Sequence, residues 1–324
     1  MEIFLAIVIL VVSFVLIIWG GDLFVNSSVA IAKKLKIPTS IIGATLVSIG
    51  TTIPEILVTI FSITKNASGV AVGNAVGSVI FNTCVNVGIL LCCTILLIKK
   101  SLRFDYLLLI LALISLFVFG ISGNLSVWGS IFLLIIFITF FTINIVEAVK
   151  CKKENDNNDA NPLSKEQNIW VCLLIFVISA SMIGVGAYFM VEKAKFLAQL
   201  AGLSELFIGL TIVAFGTSLP ELITTINSIR KKEPELGFGN IIGANIINAT
   251  LLVGLTGTLS GGIGIDKETL FVTIPVSIVA TLFLLLPPLI KHKTYKWQGF
   301  CILGLYVAYY VFLILNATGV IRFA

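Results

Sequence analysis

Ten apolar stretches, each close to the length of a helix that crosses a bilayer, recur along this chain of 324 residues. A membrane span needs roughly 20 mostly apolar residues. A soluble domain could not bury so much apolar surface, because part of it would have to face water. We therefore predict an all-α polytopic protein with ten transmembrane helices in a lipid bilayer. The predicted spans are 3–32, 39–63, 70–97, 104–122, 127–149, 168–192, 206–229, 236–258, 268–290 and 297–316.

The distribution of Lys and Arg predicts which side of the membrane each loop faces. Of the 21 such residues, 16 lie in loops that follow odd-numbered spans. Because cytoplasmic loops carry the excess of positive charge, we expect a cell-membrane protein with both termini outside the cytoplasm. The net charge of +5 then reflects topology, and it is not evidence for nucleic-acid binding.

One clearly hydrophilic segment, 150–168, divides the chain and is predicted to be a cytoplasmic linker. Its acidic run lacks the Gly and Glu that an EF-hand calcium loop requires at its sixth and twelfth positions. The predicted domains are therefore 1–149 and 169–324, with five spans each.

The two halves contain matching motifs. Segments 43–60 and 209–226 are identical at nine of 18 positions, and 73–82 matches 239–248 at the same offset of 166 residues. Because five spans is an odd number, the second copy must enter the membrane from the opposite side. This predicts two inverted-topology repeats of five helices, an arrangement found in secondary transporters whose binding sites lie near the midplane where the repeats meet.

A Pro-Glu pair ends the central motif of each repeat, at Glu55 and at Glu221. Proline lacks an N–H and clashes with the preceding turn, so each helix is expected to break near Thr51 or Thr217. Carbonyl groups freed inside a membrane need a partner, and a bound cation provides one. Placing a charge at a helix centre costs ~2.5–3.5 kcal/mol on translocon scales, which favours a functional role for both glutamates.

A capping role is the structural alternative for this motif. Thr52-x-x-Glu55 and Ser218-x-x-Glu221 both fit a capping box with Pro at the helix start. Capping alone does not explain the carboxylate, because Gln would cap equally well without the cost of burying a charge.

The next helix of each half carries polar side chains four residues apart, which places them on one helix face. Polar faces between membrane helices also serve as packing contacts. We interpret Asn74 and Asn240 as packing contacts, and we interpret Asn82 and Asn248 as ion ligands that face the glutamates by symmetry. The stripes are Asn74, Ser78 and Asn82 in the first half and Asn240, Ala244 and Asn248 in the second.

The candidate ligands are all oxygen atoms, which suit hard cations such as Ca²⁺ and Na⁺. The six cysteines and the single histidine show no metal-ligand spacing, so no zinc, haem or other cofactor is expected. One Ca²⁺ or two Na⁺ ions would neutralise two ionised glutamates. An empty site would leave both charges uncompensated, so the unloaded protein should change conformation reluctantly. This predicts obligatory exchange by an antiporter, and neither an enzyme nor a channel.

The paired Gly-Thr-(Ser/Thr)-x-Pro-Glu and Gly-Asn-x-x-Gly motifs resemble the α-repeats of the calcium/cation antiporter superfamily, and especially its prokaryotic sodium/calcium exchangers. The resemblance covers nearly the whole chain, including Gly-Gly-Asp22. It implies alternating-access exchange of Na⁺ for Ca²⁺ at a central site bridged by Glu55 and Glu221. The further ligands that it implies are the side chains of Asn82, Ser78, Thr51, Thr52, Thr217 and Ser218, with the backbones of Ser48 and Ala214.

Two positions depart from this pattern. Asn248 stands where exchangers of this type usually carry Asp, and Ala244 stands where they usually carry Ser. The departures predict a weakened outermost sodium site and leave the number of sodium ions per calcium ion open.

Four other functions are alternatives to sodium/calcium exchange. A proton/calcium exchanger or a potassium-using exchanger would keep the same fold and site. An intramembrane aspartyl protease, suggested by Gly-Gly-Asp22, would need a second aspartate, and Asp105 lies beside Arg103 at a predicted span boundary. A passive channel lacks support, because the chain has no charged rings or filter motif.

Overall fold

The structure is a computed structural model that describes residues 2–64, 68–97, 100–158, 168–200, 214–317 and 320. Helices account for most of the described chain. In order they are α1 (Glu2–Leu35), α2 (Thr39–Ile42), α3 (Ser48–Thr51), α4 (Ile53–Thr64), α5 (Ser68–Phe81), α6 (Val87–Cys93), α7 (Lys100–Gly120), α8 (Val127–Asn158), α9 (Ile169–Leu200), α10 (Ala214–Thr217), α11 (Leu219–Arg230), α12 (Pro234–Ile246), α13 (Val253–Leu259), α14 (Ile274–Lys291) and α15 (Lys296–Ala317).

Wider helical turns and two very short strands complete the described secondary structure. A π-helical turn closes its hydrogen bonds one residue later than an α-helical turn, and such turns occur frequently at functional sites. The strands β1 (Asn124–Leu125) and β2 (Ile263–Gly264) form an antiparallel pair. The π-helical segments are π1 (Gly43–Val47), π2 (Asn82–Asn86), π3 (Ile247–Leu252) and π4 (Thr269–Thr273).

The helices of the described chain support a polytopic membrane protein. Eight continuous helical segments, three of which include a π-helical turn, are long and apolar enough to cross a membrane. A ninth span results if the segments on either side of a 45° bend, Thr39–Thr51 and Ile53–Thr64, are counted as one. The seventh predicted span, 206–229, lies partly outside the described residues, so ten spans remain a prediction.

Helix α8 continues beyond the predicted end of its span. It ends at Asn158, whereas the apolar stretch ends at 149. Lys and Glu are good helix formers, so the helix extends into the segment that was predicted to be a linker. The rest of that segment, 159–167, lies outside the described residues.

The chain forms two compact units, and neither is a contiguous half of the sequence. Unit A contains Met1–Ile53 and Thr142–Asn240, and unit B contains Pro54–Phe141 and Ile241–Ala324. Each unit therefore draws on both sequence repeats. The division into 1–149, 150–168 and 169–324 concerns the repeats and remains a prediction.

Unit A is organised around the contact of α1 with α9. The rings of Phe24 and Phe176 stack there with centroids 4.6 Å apart. Glycines let the two helices approach closely, since a Cβ atom at Gly186 would lie only 2.8 Å from Ile17 Cγ1. Close packing of this kind is typical of membrane helices, whose association depends on van der Waals contact.

Unit B contains a second set of packed helices. Helix α15 packs on α6, and α14 packs on α7. The first contact is close because a Cβ atom at Gly299 would lie 2.6 Å from the Gly88 carbonyl oxygen. Two loops are joined by Thr294, whose N–H donates to the Leu96 carbonyl and whose hydroxyl accepts from the Leu96 N–H, both at 2.9 Å.

Candidate functional site

The predicted helix breaks are present at both copies of the Pro-Glu motif. Helix α3 ends at Thr51, Thr52 has φ −84° and ψ 3°, and α4 begins at Ile53. In the second copy Ser218 has φ −92° and ψ 8° before α11 begins at Leu219. Proline is the second residue of both α4 and α11, in the first turn of the helix, where its missing N–H costs little. The prediction that these helices break is therefore confirmed.

Each unit contains one of the two matched glutamates. Glu221 lies in the first turn of α11 in unit A, and Glu55 lies in the first turn of α4 in unit B. Both side chains are 0% exposed. A buried carboxylate is expensive unless it is compensated, so both positions have the character of functional residues.

In unit A, Glu221 lies near the hydroxyl groups of the first repeat's motif. Its carboxylate interacts electrostatically with the hydroxyls of Thr51 and Thr52. Within the described part of the chain, neither carboxylate oxygen makes a full hydrogen bond. Two predicted ligands, Thr51 and Thr52, therefore lie beside the Glu221 carboxylate.

The Ser48 carbonyl is more heavily hydrogen-bonded than the ligand role implied by the resemblance would suggest. It accepts the Thr52 N–H at 3.0 Å, and it also accepts the hydroxyls of Thr51, at 3.3 Å, and Thr52. The reason is local. Pro54 has no N–H, so the carbonyl of Gly50, four residues earlier, lacks its helical donor. The Ser48 carbonyl keeps its own donor, the Thr52 N–H. A cation would have to displace one of these donors to use the Ser48 carbonyl.

The second-repeat motif residues also lie in unit A. Helix α10 begins at Ala214 and ends at Thr217, and Ser218 is fully buried. Among the described residues, the Ser218 side chain makes no capping hydrogen bond to its helix. The capping alternative is thus not realised at Ser218 in this conformation.

The structure gives Asn240 a role that sequence reasoning missed. Its Oδ1 accepts the Thr51 hydroxyl at 3.0 Å, although the two residues are 189 positions apart. Both side chains are buried, at 0% exposure for Asn240 and 2% for Thr51. The only indication in the sequence is the position of Asn240 on the same helix face as Asn248, and from the sequence alone we interpret Asn240 as a packing contact.

In unit B, the predicted amide ligands lie in π-helical segments. Asn82 begins π2, and Asn248 lies within π3. Both are 0% exposed, and Ser78 is 4% exposed. Asn82 and Asn248 are separated by the repeat offset of 166 residues, so a π-helical segment occurs at the same place in both repeats. No feature of the sequence predicted these π-helical segments.

The two predicted amide ligands differ in their hydrogen bonds. The Asn86 amide donates to Asn82 Oδ1 at 2.8 Å, and nearby the Asn245 amide donates to the Thr83 hydroxyl at 2.9 Å. By contrast, neither polar atom of the Asn248 side chain has a hydrogen-bond partner within the described ranges. Both atoms are buried, and a buried polar atom without a hydrogen-bond partner costs free energy unless a ligand or a water molecule binds to it.

The predicted site residues in the two units provide mainly oxygen atoms as possible metal ligands. Among the residues that the structure describes, no three His, Cys, Asp or Glu side chains form a metal-binding group. Each unit therefore offers one of the two matched carboxylates together with amide and hydroxyl oxygens. Hard cations such as Ca²⁺ and Na⁺ prefer that set of donors.

Asp22 has a structural partner. Lys231 Nζ lies 3.4 Å from Asp22 Oδ1 and donates to Asn26 Oδ1 at 2.8 Å. The Asp22 side chain is 37% exposed. An ion-paired, partly exposed carboxylate does not provide the aspartate of a protease dyad.

Comparison with known proteins identifies relatives across almost the whole chain. The model of the sodium/calcium exchanger protein family matches residues 5–146 and 171–315. Sodium/calcium exchanger MaX1 of Methanosarcina acetivorans is 32% identical, over 94% of this chain and 97% of its own length. Human sodium/potassium/calcium exchanger 2 is 33% identical over 150 residues, which are 44% of this chain and 22% of that protein.

The fold is also similar to that of a solved exchanger. The sodium-calcium exchanger NCX_Mj, soaked with 2.5 mM Na⁺ and 10 mM Sr²⁺, superposes with a TM-score of 0.81. The two chains are 29% identical, and the match covers 94% of this chain and 98% of that one. Together with the family match, this similarity shows that the chain belongs to the sodium/calcium exchanger family.

Proposed function

We propose that this chain is a secondary active antiporter that exchanges Na⁺ for Ca²⁺ by alternating access, with Glu55 and Glu221 as its ion-binding carboxylates. Family membership supports cation/calcium antiport across a membrane, and the relatives are transporters and not enzymes. The observation that carries the proposal is the matched pair of buried glutamates, each in the first turn after a proline-broken helix.

The proposed ligands supply a chemically consistent environment. The side chains of Thr51, Thr52 and Ser218 lie with Glu221 in unit A, and Ser78, Asn82 and Asn248 lie with Glu55 in unit B. Calcium takes six to eight oxygen ligands, more than carboxylates alone supply here. Thr217, Ser48 and Ala214 complete the proposed set through hydroxyl and carbonyl oxygens.

Radioactive calcium uptake into proteoliposomes tests this proposal. With sodium inside and calcium outside, uptake should require the outward sodium gradient, and Glu221→Gln should abolish it. Glu235→Gln, which alters a carboxylate outside the proposed ligand set, is the control and should retain uptake. Sodium-driven uptake that survives in either Glu221→Gln or Glu55→Gln would refute the assignment of the carboxylates.

Potassium-dependent exchange is the second candidate function. It is favoured by the match to human sodium/potassium/calcium exchanger 2. The same vesicles, prepared with and without potassium, separate the two candidates. Uptake that requires potassium in addition to sodium would select the second, and uptake driven only by a proton gradient would select a proton-coupled exchanger.

We further propose that Asn248 and Ala244 weaken one sodium site. Both are fully buried, and together they replace a carboxylate and a hydroxyl with an amide and a methyl group. An amide is a weaker ligand for Na⁺ because it carries no charge. Reversal potentials in liposomes give the number of sodium ions per calcium ion, and Asn248→Asp should raise that number if the site is weakened.

The proposed topology has ten helices in two inverted repeats, external termini and a cytoplasmic linker. The excess of Lys and Arg in loops after odd-numbered spans supports this orientation. An epitope tag inserted into 159–167 should be accessible from the cytoplasmic side alone. Labelling of that tag on intact cells would contradict the orientation.

A further inference from the structure

The hydroxyl of Thr51 has one proton and, besides the Glu221 carboxylate, two nearby acceptors in unit A. Its Oγ1 lies 3.0 Å from Asn240 Oδ1 and 3.3 Å from the Ser48 carbonyl oxygen. The Ser48 carbonyl already accepts the Thr52 N–H and hydroxyl. Because a hydrogen bond between oxygens is best near 2.7–2.8 Å, Asn240 is the better acceptor for the Thr51 proton.

The direction of this proton decides whether Thr51 can hold a cation. A hydroxyl group binds a cation through its oxygen lone pairs, so its hydrogen must point elsewhere. The Glu221 carboxylate, which interacts with Thr51, would otherwise attract that hydrogen and turn the lone pairs away from the ion. The bond to Asn240 Oδ1 gives this hydrogen another acceptor.

We propose that Asn240 is a positioning residue that accepts the Thr51 proton and thereby presents the Thr51 oxygen to the transported ion. This inference rests on the proposed function, since it assumes that Thr51 and Glu221 bind the ion. Asn240 acts through Thr51. Groups that orient the ligands of a cation affect its affinity even without touching it.

The backbone holds Asn240 in place for this role. A Cβ atom at Gly43 would lie 3.0 Å from the Asn240 backbone N and would collide with the Leu236 carbonyl oxygen. One residue earlier, a Cβ atom at Gly239 would collide with the Ser40 carbonyl oxygen. These two contacts hold the backbone of α12 at Asn240 close against α2 and π1, the segments that precede α3.

The test compares Asn240→Leu with Asn240→Asp in the calcium uptake assay. Leu removes the acceptor, and the half-saturating concentration of calcium or of sodium should rise roughly five- to tenfold, as expected for one lost buried hydrogen bond. Asp keeps an acceptor oxygen in the same place and should show no such loss of affinity. If Asp behaves like Leu, an acceptor oxygen at this position is not sufficient and the proposal is wrong.

A double variant separates a positioning role from direct ligation. In a Thr51→Val background, Asn240→Leu should cause no further loss of affinity, whereas an additive loss would overturn the proposal. Asn245→Leu removes a comparable Asn–Thr bond, to Thr83, and serves as the baseline. An affinity shift in Asn240→Leu no larger than this baseline would also overturn it.

The proposed function can fail independently of this inference. If Glu221→Gln retains exchange, the assignment of the carboxylates has failed. If Glu221→Gln abolishes exchange and Asn240→Leu leaves both half-saturating concentrations unchanged, only the role of Asn240 has failed.

Discussion

Gly239→Ala should separate two backbones that are in contact in unit A. A Cβ atom at Gly239 would collide with the Ser40 carbonyl oxygen and would lie 3.1 Å from the Ala44 backbone N. Neither neighbour is a flexible side chain, so the helices themselves must move. Restoring ordinary contact distances requires a displacement of roughly 1 Å or more.

That displacement has a consequence at the adjacent residue. The hydrogen bond from Thr51 to Asn240 is 3.0 Å long, and lengthening it by about 1 Å would break it. Overpacking costs about 1–3 kcal/mol, and the lost hydrogen bond adds about 0.5–1.5 kcal/mol. We therefore expect Gly239→Ala to reduce the free energy of unfolding by about 2–4 kcal/mol.

Gly73→Ala is the matched control, because Gly73 occupies the same position in the first repeat. A Cβ atom there meets nothing within 4 Å, and Ala in a helix is more favourable than Gly by roughly 0.5–1 kcal/mol. Thermal unfolding in detergent can be followed by tryptophan fluorescence. Relative to the unsubstituted protein, the Tm of Gly239→Ala should be lower by roughly 5 °C or more, and the Tm of Gly73→Ala should not be lower. Equal Tm values for the two variants would refute the reasoning.

Three further substitutions test other parts of the structure. Asp22→Asn should lower stability by less than about 1 kcal/mol, because its ion pair with Lys231 is partly exposed; loss of calcium uptake in this variant would show that Asp22 has a functional role. Thr294→Val should cost about 1–3 kcal/mol, because it leaves the Leu96 N–H without its acceptor; an unchanged Tm would mean that another group accepts this N–H. Phe24→Ala should cost about 3–5 kcal/mol through loss of the stacked, fully buried ring, and a smaller effect than that of Thr294→Val would show that the α1–α9 contact is not tightly packed.

Much of the local structure could be predicted from the sequence. The last predicted span, 297–316, corresponds to α15 (Lys296–Ala317), and α8 begins at the predicted residue. The breaks before Glu55 and Glu221 were also predicted. Each of these features depends on a property of one short segment, either its apolar length or the missing N–H of a proline.

The wide helical turns and the side-chain contacts were not predictable in this way. The sequence predicts Asn82 and Asn248 as ion ligands, but nothing in their spacing indicates π2 or π3. Asn240 was assigned to packing, yet it bonds to Thr51. A polar side chain on a membrane helix can face any neighbour, so the sequence identifies the residue without identifying its partner.

A helical membrane protein with a duplicated Pro-Glu motif can be inferred from the sequence, because hydrophobic length and proline chemistry act within single segments. Which segments pack together is visible only in the folded protein. Unit A combines Met1–Ile53 with Thr142–Asn240, so residues of both repeats form one compact body. Such contacts depend on where helices can approach, as at Gly43 and Gly239, and that approach becomes defined only when the helices fold against one another.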